Sequence, residues 1–358
     1  MLTKDPEFYE HLGQSEALFG LVDEEEHKQR FKLVADLFSK KQSEEFEHVI
    51  RNHSNRLCAL FLKGASGAKP VNVARGFRAV ALDIAQEFVY GYVPGHLQGL
   101  KSEKFETLLV DTTFDVMDWT AWCFRNFPLT LSLSNNLPQW LRKKIFPGEA
   151  ANIASFEVIL QLVKENLVTP HWKRDCFLSR FANVVPISSL TSECQGTVFG
   201  GVINLANMLP YGAFCVCEDD EMQQLLYEEL KAIWPNAEDE IPTFEQLQKL
   251  PILNGIVKET LRLMHGILVG PPRVVPSSGA EVDGHYVPPK SVVATSSLYL
   301  HTNPEVFPEP ERFMPERWHK ATPEMERSLV PFSKGRRMCP GKQYENILSD
   351  YSLMKHQD

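Results

Sequence analysis

From Gln195 to Cys217 the chain carries no charged residue. A helix of that length has to be hidden from water, either inside the protein or in a bilayer. Asn204, Asn207, Pro210 and the paired Gly200 and Gly201 interrupt its apolar character. The buried central helix of a large globular domain fits these interruptions better. A membrane span is the alternative.

A buried helix needs a core around it, and the composition supplies one. The 358 residues are 43% hydrophobic and 23% charged, typical of a globular protein of one large or two ordinary domains. The net charge is −9, and the pI of about 5.7 is far from the basic balance of a nucleic-acid binder. Seven cysteines (Cys58, Cys123, Cys176, Cys194, Cys215, Cys217 and Cys339) are scattered and odd in number, which suits free thiols in a reducing compartment. Cys215 and Cys217 lack the second Cys/His pair of a zinc site. The start, MLTKDPEFYEHLG, is polar and reads as neither signal peptide nor anchor.

Helical texture dominates up to Gly270. DEEEHKQRFKLVADLFS has an acidic start and helical spacing of apolar residues, and SEEFEHVIRNHSNRLCALFL and VARGFRAVALDIAQEFVYGYV follow the same period. Residues 137–167 predict two helices split at Pro147 and Gly148. EDDEMQQLLYEELKAIW predicts another, and residues 243–266 predict two more with a break at Pro251. Beyond Gly270, alternation, β-branched residues and turn pairs predict a small sheet. A Pro-rich irregular stretch (303–320) then leads to FSKGRRMCPGKQ, Phe332 to Gln343.

This last stretch sets a thiol among basic residues and turn formers. Basic surroundings lower a thiol pKa, so Cys339 is expected to be a thiolate. Pro340 suits the first turn of a helix, so KQYENILSDYSLMKH is expected to begin just after the cysteine and place the sulfur at a positive helix end. Gly335 and Gly341 permit tight turns and close approach to a flat ligand, against which Phe332 can pack. Arg337 can pair with a carboxylate. A haem offers a flat ring, propionates and an iron that accepts a thiolate.

The pattern Phe332-x-x-Gly335-x-Arg337-x-Cys339-x-Gly341 resembles the haem-binding loop of the cytochrome P450 family. Two further motifs precede it in order. Glu259 and Arg262, in ETLR, lie three apart on one helix face. Arg317 stands in FMPERW, which resembles the family's PERF-type motif. The resemblance implies that Glu259, Arg262 and Arg317 form a buried structural triad. It also implies that Arg273, in PPRVVP, meets a haem propionate. It covers essentially the whole chain, is greatest to fungal microsomal enzymes of secondary metabolism, and implies a single domain of mainly α fold with a small β-sheet.

Several positions depart from the family. The long helix over the haem usually carries an acid and a threonine after its glycines; here Ile203 and Asn204 follow Gly200, Gly201 and Val202. Asn204, in the threonine position, can hold a water but is a poor proton relay. His27 and Phe31 match the family's Trp and Arg that grip propionates, with Arg30 and Lys32 flanking the gap. His27 is therefore a candidate propionate contact. The resemblance further implies an N-terminal part with a membrane anchor, and a hairpin beyond Asp358, so the chain is expected to be a truncated gene product or gene model with exposed apolar surface.

The activity implied is haem-thiolate monooxygenation: one atom of O₂ goes into an apolar small molecule, with Cys339 as axial ligand of a haem b iron. Electrons come from NADPH through a separate reductase, to which Lys334, Arg336 and Lys342 offer a basic face. The endoplasmic reticulum membrane is the implied location. The turn from Gly266 to Pro272 and residues 196–205 are implied to face the substrate. Two alternatives stand beside this reading. One is a non-catalytic or degenerate haem-binding relative, favoured by Asn204 and Phe31. The other is a thiol nucleophile at Cys339, which needs a base such as His319.

Overall fold

The structure, a computed structural model, describes residues 2–354 apart from 12–14, 68–69, 108, 110–135, 173, 237–239, 265 and 267–269. Cys123 and part of the turn between Gly266 and Pro272 lie outside the described residues. Helices predominate. Those of eleven residues or more are α1 (Glu24–Val34), α2 (Lys40–Ala65), α3 (Val73–Tyr90), α4 (Pro147–Val168), α5 (Ile187–Cys217), α6 (Asp220–Ile233), α7 (Pro251–Leu263) and α8 (Lys342–Met354).

The breaks fall where proline puts them. A short helix, Gln139–Ile145, ends before Pro147 opens α4, and another, Phe244–Leu247, ends before Pro251 opens α7. Side chains cap the helix starts. Asp23 accepts from the Glu26 amide at 2.7 Å and Asp219 from the Met222 amide at 3.0 Å. The Glu229 carboxylate of α6 accepts from the Ile252 and Leu253 amides at 2.9 and 3.0 Å, which caps α7 from outside.

The chain divides into two compact units, residues 59–203 and residues 1–58 with 204–358. In the first, α3 contributes a run of buried residues including Phe77, Val80, Leu82 and Val89. Its buried Asp83 accepts from the Gly99 and Leu100 amides at 2.6 and 3.0 Å. In the second, α7 packs on a 3₁₀ turn, Pro315–Lys320. They approach so closely that a Cβ on Gly255 would fall 2.7 Å from the Pro315 carbonyl oxygen. Glu47 of α2 accepts from the Phe244 amide at 3.0 Å and from the Tyr351 hydroxyl of α8 at 2.5 Å.

The sheet predicted after Gly270 is present in two pieces. Strands β1 (Thr3–Lys4), β2 (Arg273–Val274) and β5 (Val292–Val293) form an antiparallel sheet in the order β1-β2-β5, and β3 (Ala280–Val282) pairs with β4 (His285–Val287) as a hairpin. Strand β1 has no alternating pattern to announce it. It is held by register, Lys4 opposite Arg273 and Thr3 opposite Val274.

Helix α5 starts eight residues before the charge-free stretch. Among the described residues it is the one helix long and apolar enough to cross a membrane. It also buries Val198, Val202, Ala206, Met208 and Leu209 in protein. The six described cysteines are free thiols.

Candidate functional site

The cysteine loop folds back on itself. The Ser333 amide donates to the Val330 carbonyl at 3.0 Å, Met338 to Gly335 at 3.2 Å, and Cys339 to Phe332 at 2.9 Å. The reversal needs left-handed backbone, with φ of 61° at Ser333 and 84° at Gly335. Phe332 is buried and Cys339 half-buried. Helix α8 starts at Lys342, three residues past the cysteine, as the sequence predicts. A Cβ on Gly341 would stand 3.7 Å from the Cys339 sulfur, so the sulfur and this turn are in close contact.

The expected thiolate is not what the surroundings favour. Burial pushes the Cys339 thiol up to about 11, and the Glu345 carboxylate adds to the rise. The amides of Gly341 and Lys342, at the start of α8, pull the other way but are outweighed. The basic run does not help because its cations turn elsewhere. Arg337 pairs with Glu24, Lys334 donates to the Arg327 carbonyl at 2.5 Å, and Lys334, Arg336 and Lys342 are exposed. His319 is also exposed, on the 3₁₀ turn. A thiol raised in this way is a poor free nucleophile. Metal coordination deprotonates a thiol outright.

Around Arg337 the structure gathers a cluster of cations. Its Nε and Nη2 donate to Glu24 of α1 at 3.2 and 3.1 Å, while its Nη1 is buried without a hydrogen-bond partner. Lys4 and Arg273 are near enough for their charges to act on one another, and both Lys4 and Arg337 act on His27. Burial, with help from those two cations, lowers His27 to about 4. His27 stacks on Phe31 with ring centres 6.0 Å apart. Arg273 Nη1 donates to the Tyr9 hydroxyl at 3.1 Å and to the Pro271 and Pro272 carbonyls. Arg30 is spent elsewhere, on Glu26 at 2.8 Å and the Glu16 carbonyl at 2.6 Å, and Lys32 is exposed. The cation that joins the cluster is Lys4, which sequence reasoning missed.

The triad assembles fully. Glu259, with no exposed surface, accepts from Arg262 at 2.7 and 2.9 Å and from Arg317 Nε at 3.0 Å. It also accepts from the Met314 amide at 3.0 Å and the Trp318 indole at 2.9 Å. Arg262 spends its remaining donors on the carbonyls of His301, Pro310 and Arg312. Buried His301 then reaches the cysteine loop, since its Nε2 accepts from the Val330 amide at 2.9 Å. Trp318 and His301 carry no motif that the sequence reading used.

Asn204 sits in α5, half-buried. Its amide oxygen is 2.7 Å from where a Cβ on Gly266 would stand, so it lies against Gly266. Among the described residues, no three His, Cys, Asp or Glu side chains gather as metal ligands.

A mainly helical chain with a small sheet and a cysteine loop tied through His301 to a buried Glu–Arg–Arg triad is the arrangement that the family resemblance implies. The cytochrome P450 family profile matches residues 3–344, and the chain belongs to that family. It is 33% identical to the cytochrome P450 monooxygenase ppzG of Metarhizium majus, over 72% of this chain and 94% of the relative. It is 28% identical to the cytochrome P450 monooxygenase flvC of Aspergillus flavus, over 94% of this chain and 64% of the relative. BOT1 of Botryotinia fuckeliana, also a cytochrome P450 monooxygenase, is 28% identical over 94% of this chain and 68% of the relative. The chain thus spans nearly all of one relative and about two thirds of the other two. Its enzyme class is that of the P450 monooxygenases.

Proposed function

We propose that this chain holds a haem b through Cys339 and inserts one atom of O₂ into an apolar small molecule of fungal secondary metabolism. One observation carries the reading: the Cys339 loop stands beside a buried guanidinium nitrogen, Arg337 Nη1, that has no partner. A buried donor left unpaired is costly, and a propionate is the acceptor it lacks. Phe332 offers an apolar wall, and the open space around Gly335 leaves room for a flat ring.

In this reading each residue has a separate task. Cys339 would hold the haem iron through its sulfur. Arg337, Arg273 and His27 hold the propionate edge, and Gly335 and Gly341 keep the loop low. Glu259, Arg262 and Arg317 fix the loop's support and touch nothing that reacts. Asn204 holds a water by its amide and passes protons poorly. When bound, a haem held through the Cys339 sulfur would supply oxygen activation. Exposed Lys334, Arg336 and Lys342 suit an acidic reductase that delivers electrons from NADPH. A family match running from residue 3 to residue 344 supports a single P450 domain over residues 1–358. The endoplasmic reticulum membrane is the location this reading carries.

The test is haem stoichiometry. Purified after expression with a haem precursor, the chain should hold stoichiometric haem and Cys339→Ala should lose it; a wild-type chain that takes up none would refute the reading. Asn204 favours a second reading, a haem-binding relative without turnover. With reductase present, NADPH consumption yielding only peroxide across apolar substrates would support that one.

A further inference from the structure

Arg337 is gripped along one edge of its guanidinium and open beyond it. Nε and Nη2 both donate to a single oxygen, Glu24 Oε1, at 3.2 and 3.1 Å. Nη1, outside that edge, is buried and has no partner. A guanidinium is planar and rigid, so fixing the Nε–Nη2 edge also fixes the direction of Nη1. The backbone around Arg337 is already tied, Met338 to Gly335 and Cys339 to Phe332. What the loop leaves to be held is the long side chain, and α1 supplies the hold.

Glu24 opens α1, and Asp23 fixes that start by accepting from the Glu26 amide at 2.7 Å. An acid in the first turn favours any helix, and Glu25 and Glu26 serve that purpose as well. Those two pair inside α1, Glu26 with Arg30 at 2.8 Å and Glu25 with Lys28 at 3.7 Å. Glu24 reaches out of the helix instead, to a side chain that is 10% exposed. His27, one turn on, feels the charges of both Glu24 and Arg337, so this face of α1 meets the loop. Glu24 itself is 38% exposed, and an ion pair so open to water adds little stability by itself.

We propose that Glu24 is a positioning residue for Arg337: it clamps one edge of the guanidinium so that Nη1 is presented to a haem propionate, and in this way it slows haem loss. This rests on the haem reading above. An arginine side chain has many rotamers, and a bond made by one already ordered is tighter than a bond that must first order it. Glu24 does the ordering in the protein before haem arrives, and it acts through Arg337 alone.

The experiment follows haem transfer from the loaded protein to excess apomyoglobin. Glu24→Ala frees the guanidinium and should release haem about tenfold faster, the scale of freezing one long side chain. Glu24→Gln keeps an acceptor oxygen at the same reach and should restore slow release. Denaturant unfolding of the apo-proteins is the control, and Glu24→Ala should shift it little. Release from Glu24→Ala at the wild-type rate would overturn the inference and leave the haem reading standing. Release from Glu24→Gln slower than from wild type would make Glu24 a competitor of the propionate and overturn it as well. Release from Glu24→Gln as fast as from Glu24→Ala would make charge, not orientation, the cause. A loss of apo-protein stability matching the faster release of Glu24→Ala would reduce the pair to packing of α1, and either result sinks the positioning role. A wild-type protein that binds no haem removes both readings at once.

Discussion

Arg262 and His301 bind each other twice. Arg262 Nη1 donates to the His301 carbonyl at 2.8 Å, and His301 Nδ1 donates to the Arg262 carbonyl at 3.0 Å. The tautomer follows from the partners, since Nε2 accepts from the Val330 amide and the proton must sit on Nδ1. The pair joins the buried triad to the residue that opens the cysteine loop. His301→Ala leaves the buried Arg262 carbonyl and the half-buried Val330 amide without this partner. A stability loss of about 2–4 kcal/mol is expected. Denaturant unfolding of the apo-protein measures it, and a loss below the scatter of such curves would show the bridge to be idle.

Glu259 is the hub of the same network, and its removal should be graded. Glu259→Gln leaves buried Arg262 and the mostly buried Arg317 without a counter-charge, at a cost of about 3–5 kcal/mol. Trp318→Phe removes only the indole bond and should cost about 1–2 kcal/mol. The reverse order in thermal unfolding would mean that ring packing against Phe307, not charge, holds this turn.

Asp350 should make stability depend on pH. Burial raises it from the usual 3.8 to about 8. Between those values the folded chain holds a proton that the unfolded chain releases, so this group's contribution falls as pH rises through the window. Asp350→Asn should match wild type near pH 4 and be the more stable protein at pH 8. Unfolding curves at both ends of the window test the sign.

Asn204 should limit coupling more than binding. In the reconstituted system Asn204→Thr is expected to raise product formed per NADPH consumed, because a hydroxyl passes protons that an amide does not. Substrate affinity should move little. An unchanged ratio would place Asn204 in packing against Gly266 instead.

Much of this was readable in the sequence because the signals are local. Pro147 and Pro251 mark helix starts by their missing amides, and Glu259 and Arg262 share a face by helical spacing. The readings that needed distance were lost. Glu24 meets Arg337 across 313 positions, and His301 meets Val330 across 29, with no periodicity to announce either. Strand β1 is too short to alternate and exists through its pairing with β2. The upward shift of the Cys339 thiol without iron was lost for a related reason. Of the basic residues adjacent in sequence, Lys334, Arg336 and Lys342 are exposed and Arg337 pairs with Glu24, while Glu345, in the first turn of α8, acts on Cys339.

The central claim is that the Cys339 sulfur ligates a haem iron. The reduced, carbon-monoxide-bound absorption spectrum tests it most directly. A strongly red-shifted Soret band should appear in the wild type and vanish in Cys339→Ala. An unshifted band in the wild type, or one that survives loss of the sulfur, would contradict the assignment.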